Sequence, residues 1–309
     1  MRAVRFERYG DESVLEVREV PDPQPREGEV VVRVVSADTN PGEVAIRSGV
    51  MADRFPAAFP EGQGSGFAGE VVAIGAGVSS VGIGQPVIGL SDGRNAQAEL
   101  AVVPGDRVVT KPSGLDWDVA ATLYVAGTTA LAALQTVPVG SGHTAVVAGA
   151  AGGVGVYLTQ LAVGTGARVI GIAGEANHEW LRAHGAEPVA YGDGLEQRLR
   201  ELTADGIDAF FDLHGDGYTD LAIALGVTPD HVETITDFAA VGRLGVQAKG
   251  MAALADPAEG VRRLAAIAAD GGFDVPIKAR FPLADVQAAY REVAERSGLG
   301  KVVLEIAQP

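Results

Sequence analysis

Residues 145–155 are Ala145-Val146-Val147-Ala148-Gly149-Ala150-Ala151-Gly152-Gly153-Val154-Gly155. A short apolar run, typical of a buried strand, leads into a glycine-rich turn, and a helical stretch over 154–163 follows. The last two glycines of the pattern G-x-G-x-x-G are present as Gly152 and Gly155, whereas Ala150 takes the first place. We expect Gly152 to let the backbone approach a pyrophosphate, and Gly155 to let the helix pack close to the strand. The helix N-terminus would offer N–H groups to the phosphates. A tight turn without a ligand is the alternative, but the strand before it and the helix after it favour a dinucleotide site.

The chain around this turn alternates between strand-like and helical runs. The strand-like runs lie at 144–148, 168–173, 188–191 and 209–213, and the helical runs at 116–135, 154–163, 179–184 and 195–202. Strands that alternate with helices at this spacing predict βαβ units and a parallel sheet. An amphipathic helix over 283–295 and a strand over 301–306 close the sequence.

The first 115 residues have a different sequence pattern from the alternating region described above. Short β-branched runs, such as 30–35 and 70–74, are separated by proline- and glycine-rich turns at 21–25 and 82–86. This pattern predicts a compact, barrel-like β domain. The 309 residues are therefore expected to form two domains of the α/β class with a cleft between them.

Composition limits the kinds of partner and chemistry. The net charge of −16 disfavours nucleic acid and anionic membranes, because an acidic surface repels phosphate groups. The absence of cysteine excludes disulfides, thiolate catalysis and cysteine-ligated zinc. The five histidines lack the spacing of a metal motif, so no metal is predicted, although a site of scattered histidines and carboxylates stays open. There is no signal-peptide pattern, and no apolar run approaches the length of a membrane helix, so we expect a cytoplasmic protein.

The end of the second strand-like run bears on the choice of cofactor. NAD sites usually place an acid there to bind the ribose 2′-hydroxyl, but this run ends in Ala173-Gly174. Glu175 follows one residue later and would suit NAD, whereas Asn177 and His178 would suit the 2′-phosphate of NADP. A solvated turn without a ligand is the third reading. The missing acid favours NADP(H).

Five segments, in order along the chain, resemble the medium-chain dehydrogenase/reductase superfamily, specifically its zinc-free quinone oxidoreductase branch. They are 40–49 (NPGEVAIRSG), 64–71 (GSGFAGEV), 126–130 (AGTTA), 149–155 (GAAGGVG) and 300–304 (GKVVL). The resemblance implies a GroES-like β-rich catalytic domain, 1–117 completed by 265–309, and a Rossmann domain of doubly wound parallel sheet over 118–264. It also implies NADPH in the cleft and a homodimer.

The resemblance further implies roles for individual residues. Asn40 and Thr129 match polar residues that flank the nicotinamide, and 235–238, ending in Phe238, matches a segment near it. The positions that match the 2′-phosphate site are Gly174, His178, Tyr191 and Arg296. Each has an alternative reading: Asn40 as a turn or cap residue, Thr129 as a helix-interior residue, Phe238 as core, and Arg296 as a solvated cation at a helix end. Tyr124 is a candidate proton donor or else a packing residue.

Three positions depart from the pattern of this branch. Ala45 replaces a frequent active-site tyrosine, which predicts a larger or differently shaped substrate pocket. Gly66 replaces the usual aspartate, which is expected to remove a polar strut. His178 replaces a frequent lysine, which is expected to alter cofactor preference or its pH dependence.

These observations predict an NADPH-dependent oxidoreductase that transfers hydride to a quinone or an α,β-unsaturated carbonyl compound without a metal. A conjugated acceptor spreads its own developing charge and so needs no zinc. One alternative is an enoyl reductase dedicated to one biosynthetic pathway, which Ala45 slightly favours. Another, from a different class, is an NADPH-binding protein with little turnover.

Overall fold

The computed structural model describes residues 1–308, and its contacts divide the chain into two units. The first unit comprises residues 1–126, 258–297 and the chain from Lys301 onward, and the second comprises 127–257 and 298–300. This division differs from the domain bounds predicted after 117 and after 264. At the first bound, the helix Trp117–Thr122 packs on strands of the first unit and so belongs with it.

Short strands and two helices build the first part of the first unit. The strands are β1 (Arg2–Phe6), β2 (Glu16–Glu19), β3 (Glu29–Asp38), β4 (Glu61–Gly62), β5 (Gly66–Ile74), β6 (Pro86–Leu90), β7 (Leu100–Pro104) and β8 (Val108–Thr110), and the helices are α1 (Pro41–Arg47) and α2 (Trp117–Thr122). The long strand β3 pairs antiparallel with both β5 and β7. Its Val30, Val32 and Val34 enter a buried apolar cluster with Phe67 and Val71. The predicted β-rich domain is confirmed.

Alternating helices and strands form the second unit. The strands are β9 (Thr144–Ala148), β10 (Arg168–Ala173), β11 (Ala186–Ala190), β12 (Ala209–Asp212) and β13 (Val232–Thr234), and the helices are α3 (Thr128–Thr136), α4 (Gly155–Gly164), α5 (His178–Ala183), α6 (Leu195–Leu202), α7 (Tyr218–Ala224) and α8 (Ala239–Leu244). All five strands are parallel, in the order β11-β10-β9-β12-β13. The predicted doubly wound parallel sheet is confirmed, and its order reverses between β9 and β12.

The chain then returns to the first unit. The returning elements are α9 (Pro257–Ala269), β14 (Ile277–Pro282), α10 (Val286–Ala294) and β15 (Lys301–Glu305). Strand β15 pairs antiparallel with β3, with Val303 opposite Asp38. The larger sheet thus has the order β14-β15-β3-β5-β6-β8, with β7 also on β3, and a smaller sheet has the order β2-β1-β4. This register brings Lys301 to the end of β3, just before α1.

The helical region predicted over 116–135 contains a feature that the sequence did not suggest. A π-helical segment, Leu123–Gly127, joins α2 to α3 without a break. The resulting stretch Trp117–Thr136 has 20 residues, and its most apolar 18-residue window has a mean hydropathy of 1.3, so the expectation that no apolar run approaches membrane-helix length is wrong. By length and composition alone this stretch would suffice to cross a membrane. It is weak support for a span, because 61% of its most apolar window is buried inside the protein, as in a core helix.

Candidate cofactor and active site

The glycine-rich turn of the second unit is anchored to the neighbouring strand. Gly149 has a φ of +77°, which favours glycine, and its N–H and that of Ala150 both donate to the carbonyl oxygen of Ile172 at 3.2 Å. The Gly152 N–H then closes the turn on the Gly149 carbonyl at 3.0 Å. The chain therefore turns sharply at the carboxyl end of β9, before α4 begins.

Gly155 is the point of closest approach within this turn. A Cβ atom there would lie 2.1 Å from the Gly149 carbonyl oxygen and 2.6 Å from the Ala150 carbonyl carbon. Only glycine fits, which agrees with the predicted close packing of helix and strand. At Gly152 a Cβ atom would be tight rather than impossible, at 3.2 Å from the same oxygen. The other predicted loop residues, Ala151, Gly153 and Val154, complete the turn into α4.

Four predicted cofactor residues converge at the carboxyl end of β10. A Cβ atom on Gly174 would lie 3.4 Å from Cε1 of Tyr191, whose side chain is 62% exposed. The His178 ring lies against the same strand end, with its Nε2 atom 3.2 Å from the Ala173 carbonyl oxygen. Asn177 donates from Nδ2 to the Gly298 carbonyl at 3.3 Å. The strand end thus carries amide, imidazole and phenol groups.

The turn after β12 lies beside the glycine-rich turn. The buried Asp212 accepts hydrogen bonds from the N–H groups of His214 (3.0 Å) and Gly215 (2.7 Å) on Oδ1, and from the Thr234 hydroxyl (2.8 Å) on Oδ2. A Cβ atom on Gly149 would lie 3.6 Å from the His214 Cβ atom. Asp212 therefore fixes the turn that borders the point where the strand order reverses, which is where open α/β sheets bind ligands.

Two more predicted residues belong to the second unit. Thr129 is the second residue of α3 and is half-buried. Phe238 immediately precedes α8 and is 43% exposed, so the interpretation of Phe238 as plain core is wrong.

Two other predicted residues belong to the first unit. Arg296 follows α10 in a left-handed conformation, with a φ of +48°. Tyr124 lies in the π-helical segment and is fully buried, and burial raises the pKa of its phenol while Arg107 opposes that rise. A buried phenol with a raised pKa favours the packing role of Tyr124 over proton donation.

Asn40 is held from both ends of its amide by charged side chains of the first unit. Lys301 donates from Nζ to Asn40 Oδ1 at 2.7 Å, and Asn40 Nδ2 donates to Oδ2 of Asp38 at 2.9 Å. An ammonium group only donates, and an ionised carboxylate only accepts, so these two partners fix which end of the amide is which. Asn40 stands directly before α1, where its backbone begins the helix.

A second buried carboxyl group, on Glu43, completes this cluster. Its Oε2 atom accepts from the Asn40 N–H at 3.0 Å and from the Tyr290 hydroxyl at 2.6 Å, and its Oε1 atom accepts from the Ser65 N–H at 2.9 Å. Burial, reinforced by the nearby charge of Asp38, raises the pKa of Glu43 to about 7, although the hydrogen bonds from Tyr290 and Asn40 and the charge of Lys301 oppose the rise. Glu43 therefore changes protonation near neutral pH.

Burial also perturbs the other two charged members. It raises the pKa of Asp38, against the attraction of Lys301 and the donors Asn40 and Gly66. It lowers the pKa of Lys301, against the attraction of Asp38 and Glu43. The Lys301 ammonium also donates to the Thr39 carbonyl at 2.9 Å, and it lies 3.9 Å from Asp38 Oδ2. Burial thus disfavours the ionised forms of Asp38 and Lys301, whereas the hydrogen bonds and opposite charges within the cluster favour them.

The loss of a polar strut from position 66 itself stays a prediction, but another carboxyl group lies beside this position. The Gly66 N–H donates to Asp38 Oδ1 at 3.1 Å, and a Cβ atom at position 66 would lie only 2.8 Å from that oxygen. A carboxyl group therefore does stand beside position 66, but strand β3 supplies it instead of β5.

Several members of this cluster were not singled out from the sequence. Glu43 had a local signal, because an acid three residues after the residue that starts a helix is the mark of a capping box. Asp38 ends an otherwise apolar strand, which is a weak signal. Tyr290 and Gln97 had none: Gln97 donates from Nε2 to the Tyr290 hydroxyl at 2.8 Å, a contact between residues 193 positions apart. These two residues could be identified only from the structure, in which α10 packs on α1.

No group of three or more His, Cys, Asp or Glu side chains is placed to hold a metal ion anywhere in residues 1–308. The buried carboxyl groups of Asp38 and Glu43 contact Lys301, Asn40 and Tyr290.

Two family models match the chain. Residues 26–163 match the alcohol dehydrogenase GroES-like domain, and residues 184–304 match a zinc-binding dehydrogenase domain. A quinone oxidoreductase from Pseudomonas aeruginosa is 30% identical over 98% of this chain and 99% of its own length. Among solved structures, the quinone oxidoreductase from Coxiella burnetii has a TM-score of 0.89 at 28% identity, with 99% of each chain covered. A mycobacterial protein solved in complex with NADPH has a TM-score of 0.84 at 26% identity, with 99% of each chain covered.

Proposed function

This chain belongs to the medium-chain dehydrogenase/reductase superfamily, in its quinone oxidoreductase branch, and we propose that it is an NADPH-dependent enzyme that reduces a quinone or an α,β-unsaturated carbonyl compound without a metal. The observation that carries this proposal is the end of β10. There, Gly174, Asn177, His178 and Tyr191 come together beside the glycine-rich turn. The strand ends in Ala173-Gly174, with no acid at the place that an NAD ribose would use.

The residues present suit a dinucleotide phosphate. Gly155 brings the start of α4 against the turn, where the Val156 and Tyr157 N–H groups already donate to the Gly152 and Val154 carbonyls at 3.0 and 3.1 Å. The backbone N–H groups of 153–155, just before that first turn, and the positive end of the helix would hold the pyrophosphate. His178, Asn177 and Tyr191 would hold the 2′-phosphate. The family resemblance gives Arg296 a role toward the same phosphate, with which a guanidinium group pairs well.

The bound cofactor would supply the hydride from its nicotinamide C4 atom. The chain's own part is to orient the acceptor and to stabilise the negative charge that develops on its oxygen. The Asn40 amide, whose Nδ2 atom already has a fixed direction, would donate to that oxygen. The family resemblance gives the Thr129 hydroxyl the same role. A conjugated acceptor delocalises the charge, so two neutral donors suffice where no Lewis acid acts.

The first experiment is a kinetic comparison of NADPH with NADH against a panel of 1,4-quinones and enones, followed at the absorbance of the reduced nicotinamide. We expect rapid oxidation of NADPH and little of NADH. Replacement Asn40→Ala should lower kcat, whereas Asn95→Ala should not, because the Asn95 amide donates only to the nearby Gly93 carbonyl. Failure to bind either nucleotide would refute the proposal.

Two alternatives remain distinguishable in the same assay. Ala45 lies half-buried on α1, and its side chain is smaller than the tyrosine that is frequent there in this branch, which favours an enoyl reductase with one larger substrate as the second candidate. Enone reduction without quinone reduction would support it. Binding of NADPH without turnover of any acceptor would instead identify a nucleotide-binding protein with little catalytic activity.

The cytoplasmic location and the homodimer are proposals as well. The location rests on the acidic net charge of −16, and the homodimer rests on the family resemblance. Light scattering on the purified protein measures the oligomeric state directly, and a mass of one chain would refute the dimer.

A further inference from the structure

We propose that Asp38 is the positioning residue of Asn40: its carboxyl group, reaching from β3 to the spot beside Gly66, holds the Asn40 amide in the direction needed to donate to substrate. This inference rests on the proposed function, because it assigns a role to a residue that acts through Asn40. It concerns a side chain that carried no role in the sequence-based prediction.

The geometry gives Asp38 two separate tasks. One oxygen, Oδ1, accepts from the Gly66 N–H at 3.1 Å, and the other, Oδ2, accepts from Asn40 Nδ2 at 2.9 Å. Both tasks need an acceptor, and a carboxylate is the side chain of this size that offers two. Strand β5 therefore fixes the carboxyl group, and the carboxyl group in turn fixes the amide.

The surroundings of Asp38 leave it little freedom. Asp38 is fully buried, and Gln97 donates to its backbone carbonyl at 3.0 Å. A side chain at position 66 would meet Asp38 at 2.8 Å and the Ala121 carbonyl at 2.9 Å, so the glycine makes the space that the carboxyl group occupies. A fixed partner of this kind limits rotation of the Asn40 amide, which matters because misplacement by about 1 Å can cost on the order of 100-fold in rate.

Lys301 completes the arrangement from the opposite side. Its ammonium group donates to Asn40 Oδ1 at 2.7 Å and lies 3.9 Å from Asp38 Oδ2. The Asn40 amide oxygen thus accepts from the Lys301 ammonium group, and one of the two amide N–H groups donates to the Asp38 carboxyl group. The second N–H of Asn40 Nδ2 is the group left to donate to a substrate oxygen.

The test is Asp38→Asn in the full chain, alone and combined with Asn40→Ala. An asparagine at position 38 has one acceptor atom for two donors, so it can satisfy Gly66 or Asn40 but not both. We expect kcat to fall by about 10-fold or more and the Kd for NADPH to stay unchanged. In the Asn40→Ala background the same replacement should change kcat by less than about twofold, because the amide that it positions is gone.

The matched control is Glu61→Gln, which also turns a buried carboxyl group of the first unit into an amide. Glu61 accepts from the Ala58 N–H and the Arg94 guanidinium, well apart from Asn40 in its contacts. It should leave kcat unchanged even if it lowers the melting temperature. An equal loss of kcat from Asp38→Asn with and without Asn40 would overturn the inference, since the effect would then be structural.

Two further measurements keep the inference testable. If Asp38→Asn does not fold, Gly66→Ala displaces the carboxyl group without changing charge, and its loss of kcat should likewise vanish in the Asn40→Ala background. The side-chain amide of Asn40 can also be observed directly by nuclear magnetic resonance, as the signal pair that Asn40→Ala removes. Its protons should exchange slowly in the unaltered protein and faster in Asp38→Asn; equal exchange would overturn the inference. An inactive wild-type protein would refute the proposed function while this readout still decides the role of Asp38.

Discussion

The Tyr290 hydroxyl donates to the Glu43 carboxyl group at 2.6 Å, joining residues 247 positions apart. Both side chains are buried, and burial and the Glu43 charge raise the pKa of the Tyr290 phenol well above its ordinary value. The bond fastens α10, from the end of the chain, to α1, which carries Asn40 at its start. The C-terminal segment is therefore a structural part of the Asn40 environment.

The first prediction follows from the protonation of Glu43. Its pKa is 4.5 ordinarily and about 7 in the folded protein, so between these values the folded state binds a proton that the unfolded state has lost. The stability contributed by Glu43 is thus complete below pH 4.5 and is lost as pH rises towards 7. Each unit of pKa difference corresponds to about 1.4 kcal/mol, so the loss is on the order of a few kcal/mol.

Urea unfolding at pH 5 and pH 8 measures this effect in the unaltered protein and in Glu43→Gln. The replacement cannot titrate, so its stability should fall less between the two pH values, whatever its absolute stability. Comparison of the two proteins cancels the titration of groups that they share. Identical pH slopes would show that Glu43 stays ionised in the folded protein.

The second prediction concerns the closest approach in the glycine-rich turn. Gly155→Ala would put a Cβ atom 2.1 Å from the Gly149 carbonyl oxygen, so α4 must move away from β9. We expect a loss of stability of roughly 1–3 kcal/mol, as for overpacking in a core, and NADPH binding at least 10-fold weaker.

Gly164→Ala is the matched control, because it lies at the other end of α4 with nothing within 4 Å of its added Cβ atom. It should leave NADPH affinity unchanged and cost no stability, since alanine favours helix. Thermal unfolding and quenching of protein fluorescence by NADPH measure both variants. Equal stabilities and NADPH affinities of the two variants would show that the turn accommodates a Cβ atom at position 155 without cost.

How much of the structure could be predicted from the sequence depended on how far apart the interacting residues lie along the chain. Helix α6, Leu195–Leu202, was predicted with its observed bounds, because its amphipathic pattern lies entirely within one short segment. The steric demand at Gly155 was likewise local. By contrast, the carboxyl group beside Gly66 comes from Asp38 across a strand pair, and the Tyr290–Glu43 bond joins opposite ends of the chain. Such partners depend on register and packing, which one sequence does not display.

The third prediction concerns Asp212, which accepts two backbone N–H groups and the Thr234 hydroxyl. The Thr234 oxygen already accepts from the N–H groups of Thr236 (3.2 Å) and Asp237 (3.0 Å), so it has no lone pair for an amide donor. In Asp212→Asn, the new amide N–H groups would therefore face the Thr234 hydroxyl, which has no acceptor site left, and no hydrogen bond would form between them. We expect a loss of about 1–3 kcal/mol and weaker NADPH binding, because the turn borders Gly149.

Asp216→Asn is the control for this replacement. Asp216 lies in the same turn but is mostly exposed, with a φ of +55° that asparagine also tolerates. Its effect on stability should stay within about 0.5 kcal/mol. Denaturant unfolding with a titration of NADPH compares the pair, and equal effects of the two replacements would show that Asp212 does not organise the turn.

The last prediction separates NADPH from NADH at the end of β10. His178 lies against the Ala173 carbonyl, and Glu175 is exposed one residue after Gly174. If the end of β10 receives a 2′-phosphate, His178→Lys should tighten NADPH by about 3- to 10-fold and leave NADH unchanged, because a lysine ammonium group is a strong point-charge partner for phosphate oxygens. Glu175→Gln, which removes a negative charge near the same end, should change NADH affinity little. If Glu175 instead binds the ribose hydroxyl, Glu175→Gln should weaken NADH severalfold while His178→Lys has no effect on NADPH. Kd values for both nucleotides, measured by fluorescence titration on the three proteins, decide between the two cofactors, and the second pattern would overturn the assignment of NADPH.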